Sequence, residues 1–271
     1  MKWTDERDRE LLTRQHFPTK KLLGQPLWRY LTFEKFVSLL QRQALWFSRL
    51  GSLQDKFEGK FPRRIRRLAI KEGEKLKEIW PGTLAELRAQ ADQRVEEERR
   101  LLAVNCWFAG EQESLPMWRQ YTDKGQGVAL RSTVMRLRES LSFPSYYILL
   151  SKIVAIKYVN LKTFRNKRDS IEPSYLKDRK YRFEQEVRAI TLNHVHGEAI
   201  HLDGTPGITF RDGSGHYDPE RKGFYLKCDL RELIEAVYVS PFATPEFSRA
   251  IQREARFYGL TAPLRESKLE L

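Results

Sequence analysis

An α+β fold is what the sequence predicts: a single domain with a mixed, largely antiparallel sheet, flanking helices and a charged helical insertion. Short runs such as LWRYL (27–31), GVALRST (127–133) and KIVAIKYVN (152–160) read as strands. Longer amphipathic runs, TFEKFVSLLQRQ and PEFSRAIQREARFYGL, have the three-to-four residue period of helices. No internal repeat, low-complexity tract or domain boundary divides the 271 residues, and a hydrophobic content of 41% supplies one large core.

Residues 1–26 form a partly helical lead-in that ends at Gly24 and Pro26, and the domain runs from 27 to 271. LWRYL is a short aromatic strand. Thr32 caps the first helix, whose apolar stripe is Phe33, Phe36, Val37, Leu39 and Leu40. LWFSRL (45–50) is the second strand. The loop GSLQDKFEGKFPRR turns at Gly51, Asp55 and Gly59. Residues 63–103 are charge-rich and helix-prone, split at Pro81-Gly82, and read as two inserted helices. NCWFAG (105–110) returns to strand, and SLPMWRQYTDKGQG is a short helix and turn. GVALRST is a strand, and TVMRLRESL is a helix opened by Ser132 or Thr133. KIVAIKYVN is one strand. Residues 161–182 hold eight lysines and arginines against three acids, and read as a loop leading into a helix around SYLKDRKYRF. YRFEQEVRAITL (181–192) passes from helix end to strand. Residues 194–220, with Gly204, Gly207, Gly213, Gly215 and Pro206, are hairpin and loop. GFYLKCDL and LIEAVYVSPF are strands, PEFSRAIQREARFYGL is the last helix, and TAPLRESKLEL is a strand or tail.

The net charge of +13 favours polyanionic partners: nucleic acid, nucleotides or anionic lipid. The RRIRR run is the densest basic patch and reads as a solvated helix start. The N-terminus lacks the apolar region of a signal peptide, and no apolar run approaches the roughly 20 residues of a membrane span. Two cysteines without metal-ligand spacing point to reduced thiols and a cytoplasmic protein. His194 and His196 are spaced as a strand-borne metal pair, but no third ligand of equal quality joins them, and no metal site is assigned. The sequence says nothing of oligomeric state.

No phosphate loop, dinucleotide fingerprint, HExxH or GxSxG is present. Cys106, among apolar neighbours, reads as core. Asp55 and Glu58 sit on a glycine-flanked loop, where they can hold a cation or cap the next element. Arg29, beside Tyr30 on a core strand, must be paired or face a cavity, because burying it alone is costly. Trp118 and Tyr121 are three apart on a helix, and form either a stacking wall or a core contact. Glu184, Glu186 and Arg188 are spaced by two, so a strand sets all three on one face. Such a ladder is either salt-bridged, to Arg188 or Arg182, or turned to a cleft.

The order of these motifs resembles the bacterial family of unknown function numbered 2971. It matches at Tyr30, LWFS (45–48), QDKFE (54–58), Cys106 and Phe108, Met117-Trp118 with Tyr121, Gly127-Val128, and Glu184, Glu186 and Arg188. The match spans about 27–262. Gln54 and Lys56 stand where that family has N and P, and Tyr181 where it has W. The resemblance implies a setting of mobile elements and phage defence. A more distant resemblance is to ADP-ribosyltransferase folds, and it implies an NAD-using effector or toxin. It gives Arg29 the pyrophosphate or ribose, Glu186 a ribose hydroxyl and the charge that builds as nicotinamide leaves, and Glu184 the acceptor. Tyr30, Trp118, Tyr121 and Arg188 are the implied cofactor contacts. The S-T-S element of such folds has no counterpart here. Two alternatives stay open: a non-catalytic nucleic-acid-binding or sensor module, and a metal-dependent nuclease using Asp55, Glu58, Glu184 and Glu186.

Overall fold

The computed structural model describes residues 20–55, 57–60, 86, 89, 92, 93, 96, 99, 100, 102–141, 148–164, 173–193 and 222–269. In chain order the elements are β1 (Pro26–Leu31), α1 (Phe33–Arg42), β2 (Ala44–Arg49), β3 (Leu102–Ala109), α2 (Leu115–Tyr121), β4 (Val128–Thr133), α3 (Val134–Ser140), β5 (Ile148–Ala155), β6 (Lys157–Val159), β7 (Leu176–Asp178), β8 (Glu186–Asn193), β9 (Gly223–Lys227), β10 (Ala236–Val239), α4 (Pro245–Phe257) and β11 (Leu264–Glu266). Single helical turns lie at Lys20–Leu23 and Leu230–Leu233, and 3-10 turns at Leu50–Ser52, Pro173–Tyr175 and Arg179–Glu184.

The fold is α+β, as its strand and helix periods predict. Among the described residues nine strands share one sheet, antiparallel except where β11 joins β10 in parallel. Burial alternates in blocks along β1: Leu27 and Leu31 enter one core, and Trp28 and Tyr30 the other. On the first face α1, α3 and α4 press Phe36, Leu40, Leu137 and Ile251 against Leu45, Phe47, Trp107 and Leu130. Full burial of each such side chain stabilises by about 1.5–3 kcal/mol. Thr32 starts α1 as expected, its hydroxyl accepting from the Lys35 amide. Thr133, not Ser132, caps α3. On the second face α2 sets Met117 and Trp118 against Trp28, Tyr30, Phe108 and Tyr238.

The sheet forks at β3. One edge of β3 pairs with β8 from Leu102 to Phe108. The other edge serves two strands: β1 at Leu27↔Ala109 and Trp28↔Phe108, and β2 at Ser48↔Val104 and Arg49↔Ala103. Between them no described strand pairs with the edge of residues 105–107, and side chains take the place of the ladder. Asn105 Nδ2 donates to the Trp46 carbonyl at 2.8 Å, and Arg29 Nη1 donates to the Cys106 carbonyl at 2.7 Å. Beyond this point β1 and β2 part, and a cleft opens.

Several expectations are corrected. KIVAIKYVN is two strands: the Ile156 amide closes onto the Glu186 carbonyl at 2.8 Å, after which β6 leaves to pair in parallel with β7. The helix expected around SYLKDRKYRF is instead two 3-10 turns flanking β7. LIEAVYVSPF opens as a helical turn before β10. Of the insertion, Glu96 and Arg99 are helical, and Arg99 is buried. The lead-in before Lys20, the RRIRR run, all five histidines and the 194–220 hairpin lie outside the described residues.

Candidate functional site

The cleft at the fork has a volume of about 850 Å³, within the roughly 300–1,000 Å³ of pockets that hold small molecules and cofactors. Arg29, Tyr30, Cys106, Tyr121, Glu184, Glu186, Arg188, Asp55 and Glu58 all line it. It also takes in Trp46 and Tyr225 at its β2–β9 end.

Five buried charged groups form one wall. Lys177 on β7 points its ammonium at three carboxylates: Glu58 Oε1 at 3.0 Å, Glu184 Oε2 at 2.5 Å and Glu186 Oε2 at 3.0 Å. Arg188, fully buried, donates Nε to Glu186 Oε1 at 2.5 Å and Nη2 to Glu58 Oε2 at 2.6 Å. Its Nη1 donates to the Ser174 carbonyl at 3.0 Å. Among the described residues, these three acids against two bases leave one net negative charge below the cleft surface. Burial opposes ionisation of Glu186, but Arg188 and Lys177 outweigh it and bring its pKa down to about 2. Burial likewise opposes the Lys177 charge, and Glu186 and Glu58 outweigh that, so Lys177 titrates above its usual value.

The local chain explains this convergence. Glu184 is not on the strand with Glu186: it ends the 3-10 turn, and Gln185 takes a left-handed conformation (φ 36°) before β8 begins. That kink brings both acids to Lys177. The Glu186 amide donates to Tyr158 Oη at 2.8 Å, which fixes the first residue of β8. Gly59 (φ 72°) turns the loop that delivers Glu58, and a Cβ there would lie 2.4 Å from Leu50 Cδ2. Arg99 Nε holds the Glu58 carbonyl at 2.9 Å, so the insertion braces the same loop. Asp55 takes another role: its Oδ1 accepts from the Phe57 amide at 3.0 Å and caps the turn.

Tyr121 ends α2 where the helix leaves the core. Its hydroxyl donates to Glu184 Oε1 at 3.0 Å, and burial followed by the Glu184 charge pushes its pKa up. Trp118 does not join it as a wall of the cleft. Trp118 is fully buried in the second core, edge-on to Tyr30 at 4.9 Å, with Nε1 donating to Glu113. Tyr30 reaches the cleft but is mostly buried, and its hydroxyl accepts from the Ser114 amide at 2.7 Å. Arg188 is too enclosed to contact a ligand.

Arg29 stands across the fork. Its guanidinium lies 5.9 Å from the centre of the Trp107 ring and donates to the Cys106 carbonyl. Among the described residues no acid pairs with it, and burial lowers its pKa. Cys106 joins the two sides: its carbonyl accepts from Arg29, and its thiol lines the cleft with Glu186. Burial and the Glu186 charge push that thiol well up, away from a nucleophilic thiolate.

Sequence reasoning missed Lys177 and Cys106 as parts of this wall. A signal for the first existed: two ladder acids against one ladder arginine call for a second cation. Nothing local says which lysine supplies it.

No family model, curated protein or solved structure matches the chain. Among the described residues no helix is long and apolar enough to cross a membrane. Nor does any group of three or more His, Cys, Asp or Glu among them form a metal-holding set. Glu58, Glu184 and Glu186 do meet, but around Lys177 and Arg188, which occupy the positions a metal ion would need.

Proposed function

We propose that the cleft takes a dinucleotide of the NAD type and that the chain is an ADP-ribosyltransferase-like enzyme. The fork in the sheet carries the reading. It sets Arg29, a guanidinium without an acid partner among the described residues, opposite a wall with one excess negative charge. An arginine in that state can fork onto a pyrophosphate, and the cleft volume suits a ligand of this size. Bound NAD would supply the glycosidic bond to break and nicotinamide as the leaving group.

The chain's own groups then divide the work. The excess negative charge of the wall, with Glu186 held ionised by Arg188 and Lys177, favours the positive charge that builds on the ribose. Glu184 is 3% exposed and has little access to an acceptor. Tyr121, 36% exposed, does. As the acceptor attacks, its proton passes to Tyr121 Oη, and the proton that Tyr121 carried passes to Glu184 Oε1. The phenol gains one proton and loses one, and the carboxylate ends protonated.

Nicotinamide release from NAD tests the reading. Wild type is expected to release it, and Glu186→Gln and Tyr121→Phe to lose activity by about a hundredfold each. Melting curves must show both variants folded, and Tyr121→Phe, at the surface of the cleft, perturbs packing least. A folded wild type that neither binds NAD nor releases nicotinamide sinks the proposal.

A further inference from the structure

Glu184 ends a 3-10 turn whose other five residues are all cationic or aromatic: Arg179, Lys180, Tyr181, Arg182 and Phe183. A 3-10 helix has three residues per turn, so positions three apart lie in one row. Tyr181 and Glu184 form the inward row, half-buried and buried respectively, and both line the cleft. The other two rows, Arg179 with Arg182 and Lys180 with Phe183, face outward and are exposed. Among the described residues none of the three cations is in an ion pair. The neighbouring acid Asp178 is used as the cap of the turn, accepting from the Lys180 amide at 3.1 Å. Phe183 leaves 41% of its surface exposed, and Lys177 and Lys180 lie 5.0 and 4.8 Å from the centre of the Tyr181 ring.

From this arrangement we infer that the acceptor is a single-stranded nucleic acid, docked on the 179–183 turn. The inference rests on the transferase reading for its chemistry, though not for the docking itself. Three cations without an acid partner along a short turn track a phosphate backbone, and the exposed ring of Phe183 beside them offers a stacking face for a base. A duplex keeps its bases stacked on one another and leaves Phe183 without a partner. The net charge of +13 has the matching sign. The geometry also explains why the acceptor meets Tyr121: its hydroxyl bonds Glu184, the residue on which the turn ends.

The test is anisotropy of a fluorescein-labelled 20-nucleotide oligothymidylate with the full chain, without NAD, across a series of KCl concentrations. A labelled duplex of equal length is measured alongside. Single strand is expected to bind more tightly than duplex. Replacing Arg179, Lys180 and Arg182 together by serine should lower affinity tenfold or more and flatten the log K against log salt slope by about 2. Phe183→Ala should cost roughly 5- to 100-fold and leave the slope unchanged. All four side chains are exposed, so melting temperatures should hold; should the triple variant fail to fold, Arg182→Ser alone should flatten the slope by about 0.7. Unchanged affinity and slope in the triple variant overturn the inference, as does duplex binding equal to single-strand binding. Tighter sedimentation with phosphatidylserine vesicles, lost in the same variant, reassigns the turn to a lipid surface. Binding that follows the expected pattern without nicotinamide release keeps the docking site and removes the transferase reading.

Discussion

Two arginines line one cleft, and they differ in almost every respect. Arg188 is fully buried, contacts two carboxylates and a backbone carbonyl, and titrates well above its usual range because Glu186 and Glu58 outweigh the burial. Arg29 is only half-buried, contacts one carbonyl and lies over one ring, and titrates below its usual range because burial dominates. The contrast teaches that residue type and location do not make a binding group. What matters is whether the charge is already satisfied. Arg188 is consumed by the fold, while Arg29 keeps a charge that a ligand can meet.

The contrast should be sharpest in stability. Arg188→Ala removes the cation shared by Glu58 and Glu186 and leaves buried carboxylates short of a partner. Breaking a buried pair in this way costs about 3–5 kcal/mol. Urea denaturation should show the midpoint falling accordingly, with the slope unchanged. A loss under about 1 kcal/mol would mean that water reaches the wall, and the distinction between the two arginines would collapse.

Acid should act on the same wall. Glu186 has a folded pKa of about 2 against an ordinary 4.5. A depressed carboxylate contributes its full stabilisation above the ordinary value and loses it as pH falls toward the folded one. Wild type should therefore lose stability between pH 4.5 and 2 more steeply than Glu186→Gln, which lacks this titration. Lys177, raised above its ordinary 10.5, should contribute no change near neutrality. Parallel curves for the two proteins would show that Glu186 is not held ionised by the wall.

The two halves of the cleft were unequally legible in the sequence. Arg29 was visible because β1 is a local object: a short aromatic run followed at once by a helix cap flags a charged residue on a buried strand. The need for a partner or cavity then follows from desolvation alone. The wall is a long-range object. Arg188 meets Glu58, 130 residues away, on a loop set by a glycine turn and an insertion. The E-x-E-x-R spacing pointed to the right residues with the wrong geometry, because one left-handed residue, Gln185, ends a turn in what reads as a strand. The charge density of SYLKDRKYRF mimics a solvated helix, and nothing in it marks Lys177 as buried. Trp118 and Tyr121 share a spacing that suits either a wall or a core. The end of α2 separates them, one entering the core and the other reaching the cleft.

The smallest stability effect belongs to Arg29, and it decides whether the comparison has functional content. Arg29→Met keeps the length of the side chain and removes the charge. The lost hydrogen bond leaves the Cys106 carbonyl at an edge that opens on the cleft, where water can replace it, while the cost of desolvating a cation disappears. These terms oppose each other, so stability should change by no more than about 1 kcal/mol. NAD affinity, measured by calorimetry, should fall about tenfold or more with the loss of a charged hydrogen-bonding partner. Arg29→Lys should recover part of it, since an ammonium keeps the charge without the planar fork. A stable Arg29→Met that binds NAD as wild type does would show that this arginine, like Arg188, serves the fold, as a replacement for the missing ladder bond at the fork of β3.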